Sequence, residues 1–132
     1  MIFQTRYGGM ASSPQRQAHR AALRLMHREP ARAWRLDELA KEVAMSRTSF
    51  APRFKAIAGV ASLTYLLNLR MRFAQQGLRE GSMSVSELGL LLGYTTESAF
   101  SNAFKRTTGM APKRYQNVFA RMDRSTSRQG IA

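Results

Sequence analysis

At 132 residues and 44% hydrophobic content, the chain is long and apolar enough to bury a core, which excludes a disordered tail. Its 21 Lys and Arg residues against 8 Asp and Glu residues give a formal net charge of +13, which favours a polyanionic partner such as nucleic acid or, less often, an anionic membrane. The sequence contains no cysteine, which excludes disulfide scaffolds, thiolate zinc sites and cysteine nucleophiles.

Three helices are predicted in the first half of the chain. Ser13 followed by Pro14 has the order of an N-cap and a first helical residue, and Pro30 ends that helix. A second helix is predicted within "RLDELAKEV", and Ser46 is a suitable N-cap for a third helix that Gly59 stops. The residues expected to face inward recur at helical spacing: Ala18, Ala21, Ala22, Leu25, Met26, Leu36, Leu39, Ala40, Val43, Phe50, Phe54 and Ile57.

Four helices are predicted in the second half. A longer helix is expected over Ser62–Glu80, and Ser84 with Glu87 has the spacing of a capping box for the next helix. A sixth helix ends at Gly109, and Pro112 starts a short last helix that is followed by a polar tail. The residues expected on the inner faces are Leu66, Leu69, Phe73, Ala74, Leu78, Val85, Leu88, Leu92, Phe100, Phe104, Tyr115 and Phe119.

The chain contains an internal repeat. Comparing residues 50–65 with residues 100–115 gives six identities in sixteen positions, at Phe50, Phe54, Lys55, Gly59, Ala61 and Tyr65. Residues 36–43 repeat at a shift of 49 rather than 50, so the second copy has one extra residue in its turn. Each copy is helix, tight turn, helix, and no period-two alternation indicates a strand. The sequence therefore predicts an all-α fold of about seven helices.

The repeated unit has the helix-turn-helix pattern, in which the second helix buries aromatic residues and leaves its outer face polar. That face can enter the DNA major groove, where each base pair presents a distinct set of donors and acceptors. The alternative is a plain helical bundle whose polar residues are only solvated. The high positive charge and the repeated register of phenylalanine, glycine and tyrosine favour the DNA-binding interpretation.

Three segments resemble a known family: "LDELAKEVAMSRTSFAPRFKAIAG", "YLLNLRMRFAQQGL" and "VSELGLLLGYTTESAFSNAFKRTTGMAPKRY". From about Leu23 to Phe119, the chain is similar to the DNA-binding domain of the AraC/XylS family of bacterial transcription regulators. The resemblance implies a sequence-specific regulator that binds double-stranded DNA, with two helix-turn-helix subdomains joined by a long linker helix. Their recognition helices would enter adjacent major-groove segments.

The resemblance also implies a division of the chain. The expected parts are a flexible leader (residues 1–13), a first helix-turn-helix subdomain (14–61), a linker helix (62–80), a second helix-turn-helix subdomain (81–120) and a flexible tail (121–132). A linker of about 19 residues spans roughly 28 Å, which suits two readers held about one DNA turn, near 34 Å, apart. Family members commonly have a sensing domain ahead of this one. Since the roughly dozen residues before the first helix are too few for it, we expect a minimal regulator, a truncated product or a fragment.

Site residues follow by matching positions to the family pattern. The expected base-reading residues are Thr48, Ala51, Pro52, Glu97, Ser98, Ser101 and Asn102. The expected phosphate contacts are Ser46, Arg47, Arg53, Lys55, Thr96, Lys105, Arg106, Lys113 and Arg114. The amide of Asn102 is suited to a bidentate contact with adenine, whereas Glu97 either accepts a hydrogen bond from cytosine or only caps its helix.

Four positions depart from the family pattern. Proline inside a helix costs about 3 kcal/mol unless the helix is kinked or starts later, so Pro52 predicts a weak or bent first reader. Ser62 replaces a usual proline, Arg35 a usual capping hydroxyl, and Gly89 a usual alanine.

The sequence gives little indication of a metal site, an active site or a membrane-spanning segment. His19, His27 and Glu29 could suggest a metal site, but residues eight apart on a helix are separated by about 80° of rotation and no third ligand converges. There is no Ser/His/Asp arrangement and no phosphate-binding glycine loop, so we expect neither an enzyme nor a cofactor. No apolar run reaches the roughly 18 residues of a membrane span. The opening segment lacks a signal-peptide core, which predicts a cytoplasmic, nucleoid-associated protein.

Two alternatives stay open at this point. One is a cationic nucleic-acid or membrane-surface binder without sequence preference, and the other is a protein-interaction module on the same fold. The expected partner is double-stranded DNA, with RNA polymerase as a second candidate, and no membrane or small-molecule effector site is expected in this chain. Activation and repression of transcription are equally compatible with these residues.

Overall fold

A computed structural model describes the backbone of residues 13–131 and the side chains of residues 13–122. That part of the chain forms seven helices and no strand, which confirms the all-α prediction. The helices are α1 (Pro14–Arg28), α2 (Leu36–Glu42), α3 (Arg47–Ala58), α4 (Ser62–Glu80), α5 (Val85–Leu91), α6 (Glu97–Thr108) and α7 (Pro112–Ile131).

The chain divides into two compact units, Met1–Leu67 and Asn68–Ala132, and the boundary falls within α4. Each unit contains one helix-turn-helix, formed by α2 and α3 in the first unit and by α5 and α6 in the second. Except for Ser13, the predicted flexible leader lies outside the described residues.

The predicted helix ends in the first unit are confirmed by local hydrogen bonds. The Ser13 hydroxyl oxygen accepts the backbone N–H of Arg16 at 3.2 Å, and Pro14 is the first residue of α1. The Ser46 hydroxyl oxygen accepts the backbone N–H of Ser49 at 3.2 Å, which caps α3. Gly59 ends α3 in the left-handed conformation with φ 84°, a region that glycine enters without steric cost.

Two phenylalanines of α3 form the centre of the first unit. Phe50 and Phe54 are both buried, with ring centroids 5.7 Å apart, and Phe54 also meets the Tyr65 ring edge-on at 6.0 Å. The prediction that Ile57 faces inward was wrong, because its side chain is 47% exposed. Helical spacing places Ile57 near the line of Phe50, but burial also requires a neighbouring element, and at the last turn of α3 this side chain remains open to solvent.

The second unit repeats this centre with Phe100 and Phe104, both fully buried, at a centroid distance of 6.0 Å. The Tyr115 ring meets Phe104 edge-on at 5.4 Å. Ser84 and Glu87 form the predicted capping box, since each side chain accepts the backbone N–H of the other residue, at 3.1 and 2.9 Å.

Two expectations about the second half were wrong. Phe73 of α4 is 37% exposed, because the buried side of the helix there includes Ala74 and Leu78, and neighbouring helical residues are about 100° apart. The last helix, which was predicted to be short, instead runs from Pro112 to Ile131. No proline or early glycine interrupts that segment, and its Arg, Met and Gln residues favour helix.

Candidate nucleic-acid interface

The outer face of α3 is open to solvent over its first two turns. Of the residues predicted to contact DNA from the first helix-turn-helix, Ala51 is half-buried, and the exposed ones are Ser46, Arg47, Thr48, Pro52, Arg53 and Lys55. The hydroxyl oxygens of Ser46 and Thr48 lie 3.3 Å apart, within hydrogen-bonding distance. Phe50 and Phe54 fix this orientation, because burying them turns the opposite side of α3 outward.

Pro52 lies inside α3, which runs without interruption from Arg47 to Ala58. The sequence left open that α3 begins only at Pro52, but the helix begins at Arg47. Because proline has no backbone N–H, the carbonyl of Thr48 lacks its usual helical donor. The Pro52 ring is exposed, so it adds a rigid apolar surface to the outer face of the first recognition helix.

The outer face of α6 is equally open but more polar. Of the residues predicted to contact DNA from this helix, Ser101 is half-buried, and the exposed ones are Thr96, Glu97, Ser98, Asn102, Lys105 and Arg106. The Thr96 hydroxyl oxygen accepts the backbone N–H of Ala99 at 3.0 Å and is the side-chain cap of α6. Glu97 is therefore the first helical residue and not the N-cap. A carboxylate there still complements the positive end of the helix dipole.

A groove in the second unit brings several predicted residues together. It lies beside the N-terminal parts of α6 and α7, where Glu97, Ser101 and Lys113 all line it. Ser86 and Gln116 also line the groove, although no sequence motif marks them. The repeat could not identify them, because they become neighbours of the readers only through packing.

Basic residues occupy the first turns of α3 and α7, where helix stability would favour acidic ones. Arg47 is the first residue of α3, and Lys113 and the exposed Arg114 follow Pro112 at the start of α7. Neither first turn contains an acidic residue. A cation near a helix N-terminus is unfavourable by roughly 0.3–1 kcal/mol, so helix stability does not account for these residues.

The two histidines make contacts unrelated to metal binding. His27 Nε2 lies 2.8 Å from the Tyr65 hydroxyl, and the His19 ring packs 4.7 Å from the ring of Phe54. Across the described residues, no group of three or more His, Cys, Asp or Glu side chains could hold a metal ion. No helix in residues 13–131 is long and apolar enough to cross a membrane.

The likeness to known proteins covers this same surface. A family model described as a helix-turn-helix domain matches residues 39–117, more than half of the chain. An AraC-like transcription regulator of Streptomyces lividans is 44% identical over 95 residues. The chain belongs to the AraC-type helix-turn-helix family.

The AraC-type relatives are longer proteins. The matched region covers 72% of this chain but 31% of the Streptomyces lividans regulator. The HTH-type transcriptional regulator AlkR of Acinetobacter baylyi is 37% identical over 95 residues, with the same two coverages. This chain thus spans about a third of the length of the curated relatives it matches.

Solved AraC-type domains have the same architecture. An AraC-type transcriptional regulator of Chromobacterium violaceum superposes with a TM-score of 0.72 at 26% identity, covering 79% of this chain and 93% of that chain. The DNA-binding domain of AdpA, solved in complex with a target DNA, superposes with a TM-score of 0.69 at 29% identity, covering 82% and 94%. The double helix-turn-helix fold expected from the repeat is therefore confirmed.

Proposed function

We propose that this chain is the sequence-specific DNA-binding part of a transcription regulator, with α3 and α6 entering adjacent major-groove segments of one duplex. The main support is the exposed face that each of these helices presents beside its capped N-terminus, opposite a buried pair of phenylalanines. The similarity to the AdpA domain, which was solved with its target DNA, adds independent support.

The proposed roles divide the interface into positioning and reading contacts. Lys and Arg side chains and the N-cap hydroxyls bind phosphates, which provide affinity and salt dependence without choosing a sequence. Thr48, Ala51 and Pro52 of α3, and Glu97, Ser98, Ser101 and Asn102 of α6, face the base edges. Asn102 is the strongest candidate reader, because its exposed amide can donate to and accept from adenine at once.

A random duplex pool tests the proposal directly. We expect the chain to enrich a defined duplex, and to bind it at least tenfold more tightly than a scrambled one. Asn102→Ala should reduce the preference by about 1–3 kcal/mol at a single base position. Asn117→Ala is the matched control, since Asn117 is an exposed asparagine of α7 outside the proposed reading faces. Equal binding to defined duplex, scrambled duplex and anionic vesicles would instead favour a cationic binder without sequence preference.

Salt dependence separates phosphate contacts from reading contacts. Lys105→Ala should reduce the slope of log affinity against log salt by about 0.9, because one phosphate contact is lost, and should weaken all sequences alike. Lys41→Ala on α2 is the control, since this exposed lysine lies outside the proposed phosphate set. An unchanged slope for Lys105→Ala would remove that residue from the phosphate-contact set.

Partners and location follow from this function. The chain acts on the bacterial nucleoid in the cytoplasm and performs no catalysis of its own. RNA polymerase is the second partner that a promoter-bound domain would meet. Footprinting of the selected duplex, with and without polymerase, tests this step: an extended footprint supports a polymerase contact, and independent footprints oppose it.

A further inference from the structure

Three of the proposed reading positions share a register between the two recognition helices and differ in residue type. Thr48, Ala51 and Pro52 of α3 correspond to Ser98, Ser101 and Asn102 of α6 at a shift of 50 residues. In α6, all three side chains can form hydrogen bonds with base edges. In α3, two of the three have no polar side-chain atom.

Thr48, the one α3 reading residue with a polar side-chain atom, also favours apolar contact. The Thr48 hydroxyl lies 3.3 Å from the Ser46 hydroxyl, so its hydrogen-bonding capacity is shared with the capping side chain. The γ-methyl group of Thr48 remains available, together with the half-buried Ala51 and the exposed Pro52 ring. These groups form a small apolar reading surface, defined here as Thr48, Ala51 and Pro52.

The major groove offers such a surface one specific feature. Thymine carries a C5-methyl group there, and the other base-edge groups that distinguish the pairs are hydrogen-bond donors and acceptors. Alanine and proline lose no side-chain rotamer entropy when they are buried, so contact between them and a methyl group has little entropic cost. The apolar surface is therefore suited to thymine, and its one side-chain group that can donate to guanine or accept from cytosine is the Thr48 hydroxyl, which is shared with Ser46.

We propose that α3 recognises its half of the DNA site through thymine methyl groups, whereas α6 reads hydrogen-bonding edges. This inference rests on the proposed DNA-binding function and specifies how one of its two helices selects bases. It also explains why the first helix tolerates a proline at a reading position: a methyl reader needs a firm apolar surface rather than a donor or acceptor.

The test begins by assigning each half of the selected site to a helix. Because the sequence has no cysteine, a single one can be introduced and coupled to an iron chelate that cleaves nearby DNA. Ile57→Cys on α3 and Thr107→Cys on α6 occupy matching, exposed positions. The cleavage pattern of each variant identifies the half-site of its helix.

Base analogues then test the wild-type chain itself. Replacing a contacted thymine by uracil removes only the C5-methyl group, and we expect about a fourfold loss of affinity for each such replacement in the α3 half-site. Replacing thymine by 5-methylcytosine, paired with guanine, should be tolerated better there than replacement by cytosine. In the α6 half-site, uracil should have little effect.

Variants at Pro52 provide a second readout. Pro52→Ala should weaken binding and reduce the loss of affinity that follows replacement of thymine by uracil. Pro52→Asn, which copies the α6 residue, should replace the preference for thymine with a preference for adenine. Neither variant should unfold the chain, since removing a proline from a helix interior restores a backbone donor for Thr48. Circular dichroism checks this before binding is measured.

Two results would overturn the inference while leaving the proposed function intact. One is a selected duplex that is preferred over a scrambled one but is indifferent to uracil throughout the α3 half-site. The other is a loss on replacing guanine by 7-deazaguanine in that half, with no response to uracil, which would assign the reading to Arg47. If no duplex were preferred over a scrambled one, the proposed function and this inference would fail together.

Discussion

The two helix-turn-helix units follow one plan, but the second has a more favourable residue at two local positions. In the turn, Ala44 adopts φ 59° where the second unit has Gly93 at φ 96°. At the start of the first helix, Arg35 provides no side-chain cap where Ser84 completes a capping box. Both turns still close alike, with backbone hydrogen bonds from Met45 to Ala40 at 2.8 Å and from Tyr94 to Gly89 at 2.9 Å.

The difference teaches that packing can maintain a turn whose local sequence is unfavourable. A left-handed alanine costs roughly 1–2 kcal/mol, yet the first unit keeps it because the buried phenylalanines hold both helices in place. Partial compensation also occurs at the missing cap. Asp37 Oδ1 accepts the Glu38 backbone N–H at 3.1 Å, and the Glu38 carboxylate accepts that of Arg35 at 2.9 Å.

The largest expected effect concerns the close approach of α5 and α6. A Cβ atom added at Gly89 would lie 3.0 Å from Phe100 Cβ and 3.1 Å from its ring, and a fully buried phenylalanine has little room to move. We therefore expect Gly89→Ala to destabilise the second unit by about 1–3 kcal/mol. Urea unfolding followed by circular dichroism measures this. Ala40 occupies the matching position in the first unit, so alanine is compatible with the helix contact there. An unchanged stability of Gly89→Ala would mean that α5 and α6 also leave enough space for a methyl group.

The capping box should have the next largest effect. Ser84→Ala should cost the second unit about 1 kcal/mol, because the Glu87 backbone N–H loses its acceptor. Arg35→Ser in the first unit should yield a smaller gain, since Asp37 already accepts the corresponding N–H. The sole tryptophan, Trp34, is buried in the first unit, so its fluorescence follows that unit during urea unfolding. A gain for Arg35→Ser as large as the loss for Ser84→Ala would contradict the compensation by Asp37.

The turn residues provide a reciprocal pair with a somewhat smaller effect. Ala44→Gly should stabilise the first unit by a few tenths to about 1 kcal/mol, because relief of the left-handed alanine exceeds the added freedom of the unfolded chain. Gly93→Ala should destabilise the second unit by a similar amount. Trp34 fluorescence reports the first change and circular dichroism the second. Loss of stability in Ala44→Gly would show that the alanine methyl contributes packing that outweighs its strain.

The smallest expected effect is a pH dependence confined to the first unit. Burial lowers the pKa of His19 below its ordinary value of 6.5, and its Nδ1 has no hydrogen-bond partner within the described residues. The neutral form is thus favoured in the folded state. The resulting stability is fully present above about pH 6.5 and is lost as the pH falls from there through the lower folded pKa.

Replacing His19 tests whether the unfolding free energy falls with decreasing pH because of this residue. A shift of 52 residues aligns the fully buried Ala22 of α1 with the fully buried Ala74 of α4 and pairs His19 with Met71, which is buried in the second unit. His19→Met should remove the decrease in unfolding free energy between about pH 7.5 and about pH 5.5, as followed by Trp34 fluorescence. His27→Gln is the control and should retain it, since His27 is exposed. Retention of the slope in His19→Met would assign it to another group.

Much of the fold was predictable because the features that end helices are local. Ser46, Gly59, Ser84 and Gly109 act on backbone groups within four residues of themselves, and each was assigned from its neighbours alone. The recognition faces were predictable for a related reason. Once Phe50 and Phe54 were placed inside, helical periodicity fixed which residues of α3 point outward.

Burial was less predictable than helix position. Ile57 and Phe73 have the spacing of inward-facing residues but are exposed. In the sequence, Gly89 is only a departure from the family pattern, and its close approach to Phe100 is visible only in the structure. Ser86 and Gln116 line the groove of the candidate interface, but no sequence motif indicates this position. In each case the outcome depends on a residue distant in sequence.

The sequence by itself determined the seven helices, most of their ends and the polar faces of the two readers, because those follow from hydrogen bonds and periodicity within a few residues. Only the tertiary structure decided which apolar side chains are covered, how closely Gly89 approaches Phe100, and which side chains line the groove with Glu97 and Lys113 beside α6 and α7. The physical reason is that burial and close approach are properties of pairs of elements, and no single segment contains the information that sets them.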